Sequence, residues 1–192
     1  MAKSYESTRN FELKAAASEA VLKGIAEDGG LFVMRNLGER KVNIHSLVGK
    51  NYVEIAGVIL EILLDDFSKD KLKECIRKAY TDKFSAEEIT PVVKVGQNYV
   101  TELFHGPTSA FKDVALSILP HLMTASYEMN NMKGEVIILT ATSGDTGKAA
   151  LEGFKDVKGT KIIVFYPEGG VSQVQEVQMV TQEGSNTFVC AI

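Results

Sequence analysis

An α/β fold organised on a parallel sheet is what this chain predicts, because from residue 135 short apolar runs alternate with amphipathic stretches. The order is strand 135–140, helix 146–155, strand 160–165, helix 172–182 and strand 187–192, a β-α-β-α-β succession whose crossovers are expected to be right-handed. A second observation agrees with it. The first strand runs into Thr140-Ala141-Thr142-Ser143-Gly144-Asp145-Thr146-Gly147-Lys148, a turn of hydroxyls and glycines that opens the next helix. Parallel sheets bind their ligands beyond the carboxyl ends of the strands, and this turn lies just past such an end.

The first 90 or so residues read as mainly helical. Phe11 to Ala26 suggests a helix ended by Asp28-Gly29-Gly30, and Leu31-Phe32-Val33 then reads as a short strand. Helical spacing returns at Val53, Ala56, Ile59, Leu60, Leu63 and Leu64, so a helix is expected over 52–64, with another over 70–80. Ser85-Ala86-Glu87-Glu88 looks like a capping segment. From Pro91 the pattern changes: Val92-Val93 and Tyr99-Val100 read as strands around Gly96-Gln97-Asn98, and a long helix from about 108 to 129 must kink or break at Pro120.

That long helix opens on Glu102-Leu103-Phe104-His105-Gly106-Pro107-Thr108-Ser109-Ala110-Phe111-Lys112-Asp113, a glycine-proline turn that places one lysine near the helix start. Lys112 follows three uncharged residues and precedes the apolar Val114, Ala115 and Leu116, so little bulk water is expected around its amine. Desolvation favours the neutral form of an amine, and a neutral lysine attacks carbonyl carbon to form a Schiff base. An ordinary surface lysine on an amphipathic helix is the plainer alternative.

The turn at 142–147 reads as an anion site. Gly144 and Gly147 let backbone approach a ligand, while the helix-start N–H groups and the hydroxyls of Thr142, Ser143 and Thr146 supply donors. A nucleotide P-loop is excluded because it requires glycine at 142 and Ser or Thr at 149, where Thr142 and Ala149 stand. Asp145 inside the loop also disfavours a polyphosphate. The alternative is a plain strand-to-helix turn capped by Asp145 or Thr146.

Taken together, ELFHGPTSAFKD and TATSGDTGKAALEGF resemble the motifs of threonine synthase, an enzyme that uses pyridoxal 5'-phosphate (PLP) and shares its fold type with tryptophan synthase β and cysteine synthase. Tyr5-Glu6-Ser7-Thr8-Arg9 and Val21-Leu22-Lys23-Gly24-Ile25-Ala26-Glu27-Asp28-Gly29-Gly30-Leu31 are similar to the amino-terminal signature of that family, in which no role is assigned to Arg9. The resemblance implies a parallel three-layer α/β fold, with Lys112 as the Schiff-base lysine and general acid/base. It implies that Thr142, Ser143, Gly144, Asp145, Thr146 and Gly147 cradle the substrate carboxylate, with Asp145 near the cofactor's ring hydroxyl. His105, Thr108 and Phe111 would support the pocket. The implied reaction converts O-phosphohomoserine and water to threonine and phosphate. Three segments follow from it: a mainly helical domain at 1–90, the start of the large PLP domain at 91–130, and a small, incomplete βαβαβ domain at 131–192.

The downstream elements that hold the cofactor phosphate and ring nitrogen in this fold type have no counterpart after Thr146. Glu168-Gly169-Gly170 reads as a loop turn, and the chain resembles the amino-terminal portion of the enzyme. Two alternatives stay open: a threonine-synthase-like phospholyase acting on related amino alcohol phosphates, and a non-catalytic truncated unit that binds or only folds. A truncated sheet would leave an unprotected edge, so self-association is expected.

Composition sets outer limits. With 192 residues, 45% hydrophobic and 24% charged, the chain can bury a core. A formal charge of -4, with lysines scattered among acids, gives no support for nucleic-acid binding. Cys75 and Cys190 fit neither a zinc cluster nor a disulfide framework, so a reducing cytoplasm is the expected setting, and both should be buried thiols. No secretory signal or membrane span is read. His45 and His121 lack ligand spacing for a metal. Asp65-Asp66 and Glu87-Glu88 are read as solvated acids rather than catalytic pairs, and Asp113 as helix-start electrostatics.

Overall fold

The structure, a computed structural model, describes residues 4–142 and 144–192, so Ser143 lies outside the described residues. The chain forms two compact units, one of residues up to Lys78 together with Leu122–Lys133, the other of Ala79–His121 and Gly134–Ile192. These groupings differ from segments cut at 90 and 130.

In the first unit, β1 (Tyr5–Ser7) pairs antiparallel with both β2 (Lys14–Ala15) and β3 (Phe32–Met34). The mainly helical stretch therefore carries a small sheet, and the helix expected over 11–26 shrinks to α1 (Ala17–Lys23). Its start is fixed because Lys14 and Ala15 are taken up by β1, while Glu19 accepts the Ala16 N–H at 3.0 Å. Its end comes early because Gly24 adopts φ +65 and returns its N–H to the Ala20 carbonyl. The chain continues into α2 (Tyr52–Leu63) and α3 (Lys69–Tyr80), both close to expectation. Asn51 and Glu54 cap α2 reciprocally at 3.0 and 2.9 Å. Leu72, Cys75, Ile76 and Ala79 form the buried stripe of α3, and burial pushes the Cys75 thiol up to about 11.

Asp65 is exposed, as expected of a solvated acid, though hydrogen-bonded, whereas Asp66 is half-buried and engaged. Asp65 accepts from the Ser4 hydroxyl at 2.8 Å, and Asp66 accepts from the Ser18 hydroxyl at 2.6 Å and from its backbone N–H. Asn130 donates to Ser18 at 3.2 Å, and Lys71 pairs with Glu128 at 3.1 Å, which joins the segment 122–133 to this unit.

The second unit begins with a hairpin, β4 (Val92–Val95) and β5 (Asn98–Thr101), whose Gly96 adopts φ +61. Ser85 caps no helix: its N–H donates to the His105 carbonyl at 2.9 Å. The long helix expected from 108 is broken into α4 (Asp113–Leu116) and α5 (Leu119–Met129), because Pro120 has no N–H to continue α4 and is tolerated only in the first turn of a new helix. Residues 108–112 are turn, and Ser109 lies in the left-handed region at φ +57.

The β-α-β-α-β expectation holds: β6 (Val136–Ala141), α6 (Asp145–Phe154), β7 (Thr160–Tyr166), α7 (Gln173–Val180) and β8 (Thr187–Ala191) follow one another. The three strands are parallel in the order β6-β7-β8. Two right-handed crossovers stepping the same way place both helices on one face. The packing agrees, since Gly147 of α6 abuts Val164, and the Tyr166 hydroxyl donates to Glu176 of α7 at 3.0 Å. Leu151, Phe154, Ile162, Val164 and Met179 are buried in that layer.

The described chain thus supplies the sheet and one helical layer of the three expected. On the other face Ile137 and Leu139 are 60% and 67% exposed. Cys190 is also exposed, against the expectation of a buried thiol.

Asn186 ties the layer together below the sheet. Its carbonyl oxygen accepts the Asp156 N–H at 2.7 Å, and its amide donates to the Phe154 and Thr160 carbonyls at 2.9 and 3.1 Å. Replacing Asn186 with Ala leaves buried backbone groups unpaired and is expected to cost about 1–3 kcal/mol. Phe154→Ala, which opens a cavity in the same core, is expected to cost ~3–5 kcal/mol. Urea unfolding of the two variants measures both.

Candidate active site

The turn carrying Lys112 is closed from within. Asp113 is 2% exposed, and its carboxylate accepts the Thr108 N–H at 2.8 Å and the Thr108 hydroxyl at 2.6 Å. Gly106 leaves room for that carboxylate, because a Cβ there would stand 2.5 Å from Asp113 Cβ and Oδ2. Ser109 and Asp113 return their N–H groups to the Gly106 and Ala110 carbonyls, both at 3.0 Å. Lys112 occupies the N-cap position of α4, and its Nζ stands 4.1 Å from the centre of the Phe111 ring.

This amine borders an apolar depression of about 460 Å³, walled by Leu103, Phe111, Val114, Ala115 and Leu116, with Thr146 from the first turn of α6 on its rim. Two motifs 34 positions apart, at Lys112 and Thr146, therefore meet at one site. They meet because α4 and α6 lie unusually close: a Cβ on Gly153 would collide with the Leu116 carbonyl oxygen.

The loop before α6 is shaped by one side chain. Thr142 continues the ladder by donating its N–H to the Phe165 carbonyl at 3.0 Å, then turns its Oγ1 inward to accept the N–H groups of Gly144 and Gly147, each at 3.1 Å. Gly144 adopts φ +144 and ψ −99, a conformation closed to L side chains, and any Cβ would strike Gln175. The glycine N–H groups are thereby engaged inside the loop. The donors left at the helix start are the N–H groups of Asp145 and Thr146, for which no acceptor occurs among the described residues, and the exposed Thr146 hydroxyl. Asp145 is exposed and held by the Gln175 amide at 2.8 Å, and Gln175 is itself fixed by accepting from the Ser172 hydroxyl at 3.0 Å.

His105 points elsewhere. Its Nε2 lies 2.7 Å from Glu102 and its Nδ1 3.3 Å from the Ser85 hydroxyl, so it braces the approach to the turn and does not line the depression. Glu168-Gly169-Gly170 is a turn closed by the Gly170 N–H on the Pro167 carbonyl at 2.9 Å. Phe111, expected to support the pocket, is one of its walls, while sequence reasoning gave Asp113 only a helix-start role and passed over Gln175 and Leu103. Gly106 was the available signal for Asp113, since a glycine just before Pro107 marks a place with no room for a side chain.

The comparisons with known proteins fit this geometry. A family described as "Threonine synthase N terminus" matches residues 4–80. Threonine synthase of Schizosaccharomyces pombe is 38% identical over 200 residues, covering 98% of this chain and 38% of that protein. The PLP-bound threonine synthase from Brucella melitensis superimposes with a TM-score of 0.89 at 35% identity, covering 98% of this chain and 40% of that one. This chain belongs to the threonine synthase family and corresponds to its amino-terminal portion.

Human "Threonine synthase-like 1" is also 38% identical over 189 residues, covering 91% of this chain and 24% of that protein. The chain thus spans between about a quarter and two fifths of the length of the threonine synthase relatives it matches. The family is one of PLP-dependent lyases acting on small molecules. Among the described residues no helix is long and apolar enough to cross a membrane.

Two outcomes are expected at this site. Thr142→Val removes the acceptor of two loop N–H groups and should cost about 1–3 kcal/mol in thermal unfolding, with Thr142→Ser close to the parent. Lys148, on α6, donates to Gln182 and lies 3.9 Å from Glu152. Burial lowers its amine below the ordinary 10.5, with Glu152 opposing. Between that lowered value and 10.5 the unfolded chain binds more protons than the folded one, so stability contributed by this group rises with pH there. Lys148→Met should flatten that part of the stability curve, as measured by urea unfolding across the alkaline range.

Proposed function

We propose that the whole protein to which this chain corresponds is a threonine synthase that converts O-phosphohomoserine and water to threonine and phosphate, with Lys112 as its cofactor-holding lysine. The observation that carries this reading is the single depression bordered by the Lys112 amine and the start of α6. Its volume of about 460 Å³ falls within the roughly 300–1,000 Å³ of small-molecule sites.

The residues present suit the reactive end of PLP. Lys112 would hold the cofactor's aldehyde carbon, with Phe111, Leu103 and Val114 as apolar walls for a flat ring. When bound, PLP supplies an electron sink for charge left on substrate carbon. Lys112 is the one titratable side chain bordering the depression among the described residues, so proton transfer at the substrate carbons falls to its amine. The N–H groups of Asp145 and Thr146 and the Thr146 hydroxyl would orient the substrate carboxylate, while Thr142, Gly144 and Gly147 give the loop its shape. Asp145, held by Gln175, would face the ring hydroxyl of the cofactor. The apolar walls exclude water that would otherwise intercept the activated substrate. Thr108 and His105 brace the turn from behind. Ser143, part of the same proposed cradle, lies outside the described residues.

In the whole protein we place 91–130 at the start of the larger cofactor domain and 131–192 in the smaller one, working in the cytoplasm. A second reading has its own support: the chain is as similar to human threonine synthase-like 1 as to the S. pombe enzyme, at 38% each. A phospholyase acting on amino alcohol phosphates would release phosphate from those substrates without forming threonine.

Addition of PLP, borohydride reduction and peptide mapping tests the assignment. The expected result is a pyridoxyl group concentrated on Lys112 and lost in Lys112→Ala; an adduct spread evenly over surface lysines would overturn it. Alone, the chain is expected to self-associate through its open sheet, with Ile137 and Leu139 60% and 67% exposed. Sedimentation across a concentration series checks this, and a monomer at every concentration would contradict it.

A further inference from the structure

Building on the assignment of Lys112 as the cofactor-holding amine, we propose that Asp113 and Thr108 are a positioning pair that sets the direction in which Lys112 presents its side chain to the depression. Neither residue borders the depression, so their effect must pass through the backbone of the turn.

Asp113 is anchored at both carboxylate oxygens to a single residue: Oδ2 accepts the Thr108 N–H at 2.8 Å and Oδ1 accepts the Thr108 hydroxyl at 2.6 Å. Bonds to a charged acceptor are the strong kind, and two of them from one partner fix orientation as well as distance. Asp113 is 2% exposed and lies against Gly106, which carries no side chain to push it away. The next residue is also held, because the Tyr80 hydroxyl donates to the Val114 carbonyl at 2.8 Å.

Lys112 precedes this anchor directly and leads α4, and the Leu116 N–H returns to the Lys112 carbonyl at 2.9 Å. Consecutive helical side chains point about 100° apart around the axis. With Asp113 locked toward Thr108 on the inner side, Lys112 is turned outward over the Phe111 ring, where its Nζ stands 4.1 Å from the ring centre. The same lock holds Ser109 in its left-handed conformation at φ +57, since Thr108 and Asp113 close the turn on either side of it. Without it, the turn is free to relax and the lysine to swing into solvent.

Two labels read the positioning separately from the cofactor reading. Formaldehyde with cyanoborohydride methylates any accessible lysine, whereas PLP at a substoichiometric level, trapped with borohydride, labels preferentially an amine presented to a cofactor pocket. In Thr108→Val and Asp113→Ala, methylation of Lys112 is expected to rise toward that of the exposed Lys158, while the pyridoxyl yield on Lys112 falls by about tenfold or more. Thr108→Ser keeps the hydroxyl and should behave as the parent. Opposite movement of the two labels at Lys112 alone marks lost positioning, because unfolding also raises methylation at the other half-buried lysines, Lys71, Lys148 and Lys155. Should Asp113→Ala unfold, Thr108→Val decides. Unchanged methylation of Lys112 in a folded Thr108→Val would overturn the proposal whether or not PLP binds. If the parent traps no PLP on Lys112 but methylation still rises in Thr108→Val, the cofactor assignment fails and the positioning pair stands.

Discussion

The site depends on how near α4 can come to α6. Gly153 has no side chain where the Leu116 carbonyl oxygen sits, so the short helix led by Lys112 packs against the helix that starts beside Thr146. Any side chain at 153 would part the two helices and separate the amine from the donors at the head of α6. The neighbouring Ala149, Ala150 and Phe154 are buried in α6, so the position of that helix is set by the sheet layer beneath it. The geometry of the lysine is thus inherited from the packing of a parallel sheet whose own residues do not border the depression.

Two local devices refine what that packing brings together. Thr142 uses its hydroxyl to gather the N–H groups of Gly144 and Gly147, which shapes the loop and leaves the helix-start donors facing outward. Asp113 uses its carboxylate to close the Lys112 turn on Thr108. Both are short polar side chains engaged with nearby backbone, and both fix a neighbour rather than reach into the depression. Buried polar groups of this kind are costly unless fully paired, which makes them specific about the conformation they support.

Much of this was legible in the sequence where a period or a punctuating residue was present. The succession from β6 to β8 was read within a few residues, because apolar runs of strand length alternate with helical spacing and Gly144 and Gly147 mark the turn. Pro120 announced the break between α4 and α5. The sheet of β1, β2 and β3 was largely missed, since strands of two or three residues show no period. The start of the lysine helix was placed too early because Thr108 to Lys112 lack a helix breaker in sequence, whereas in the fold Ser109 turns left-handed. Asp66 was read as a solvated acid and Asp113 as helix-start electrostatics because their partners, Ser18 and Thr108, become visible only once the chain has folded back. Thr142 was read as a ligand donor, and the direction of a hydroxyl is not written in sequence.

The central claim is that Lys112 and the head of α6 form one site. Cross-linking tests it most directly: Lys112→Cys and Thr146→Cys are introduced together in a Cys190→Ser background and treated with a short bismaleimide. The account predicts efficient intramolecular cross-linking of this pair and little for a Lys112→Cys, Lys158→Cys control. Equal, low yields for the two pairs would contradict it, since the lysine and the loop would then not share a site.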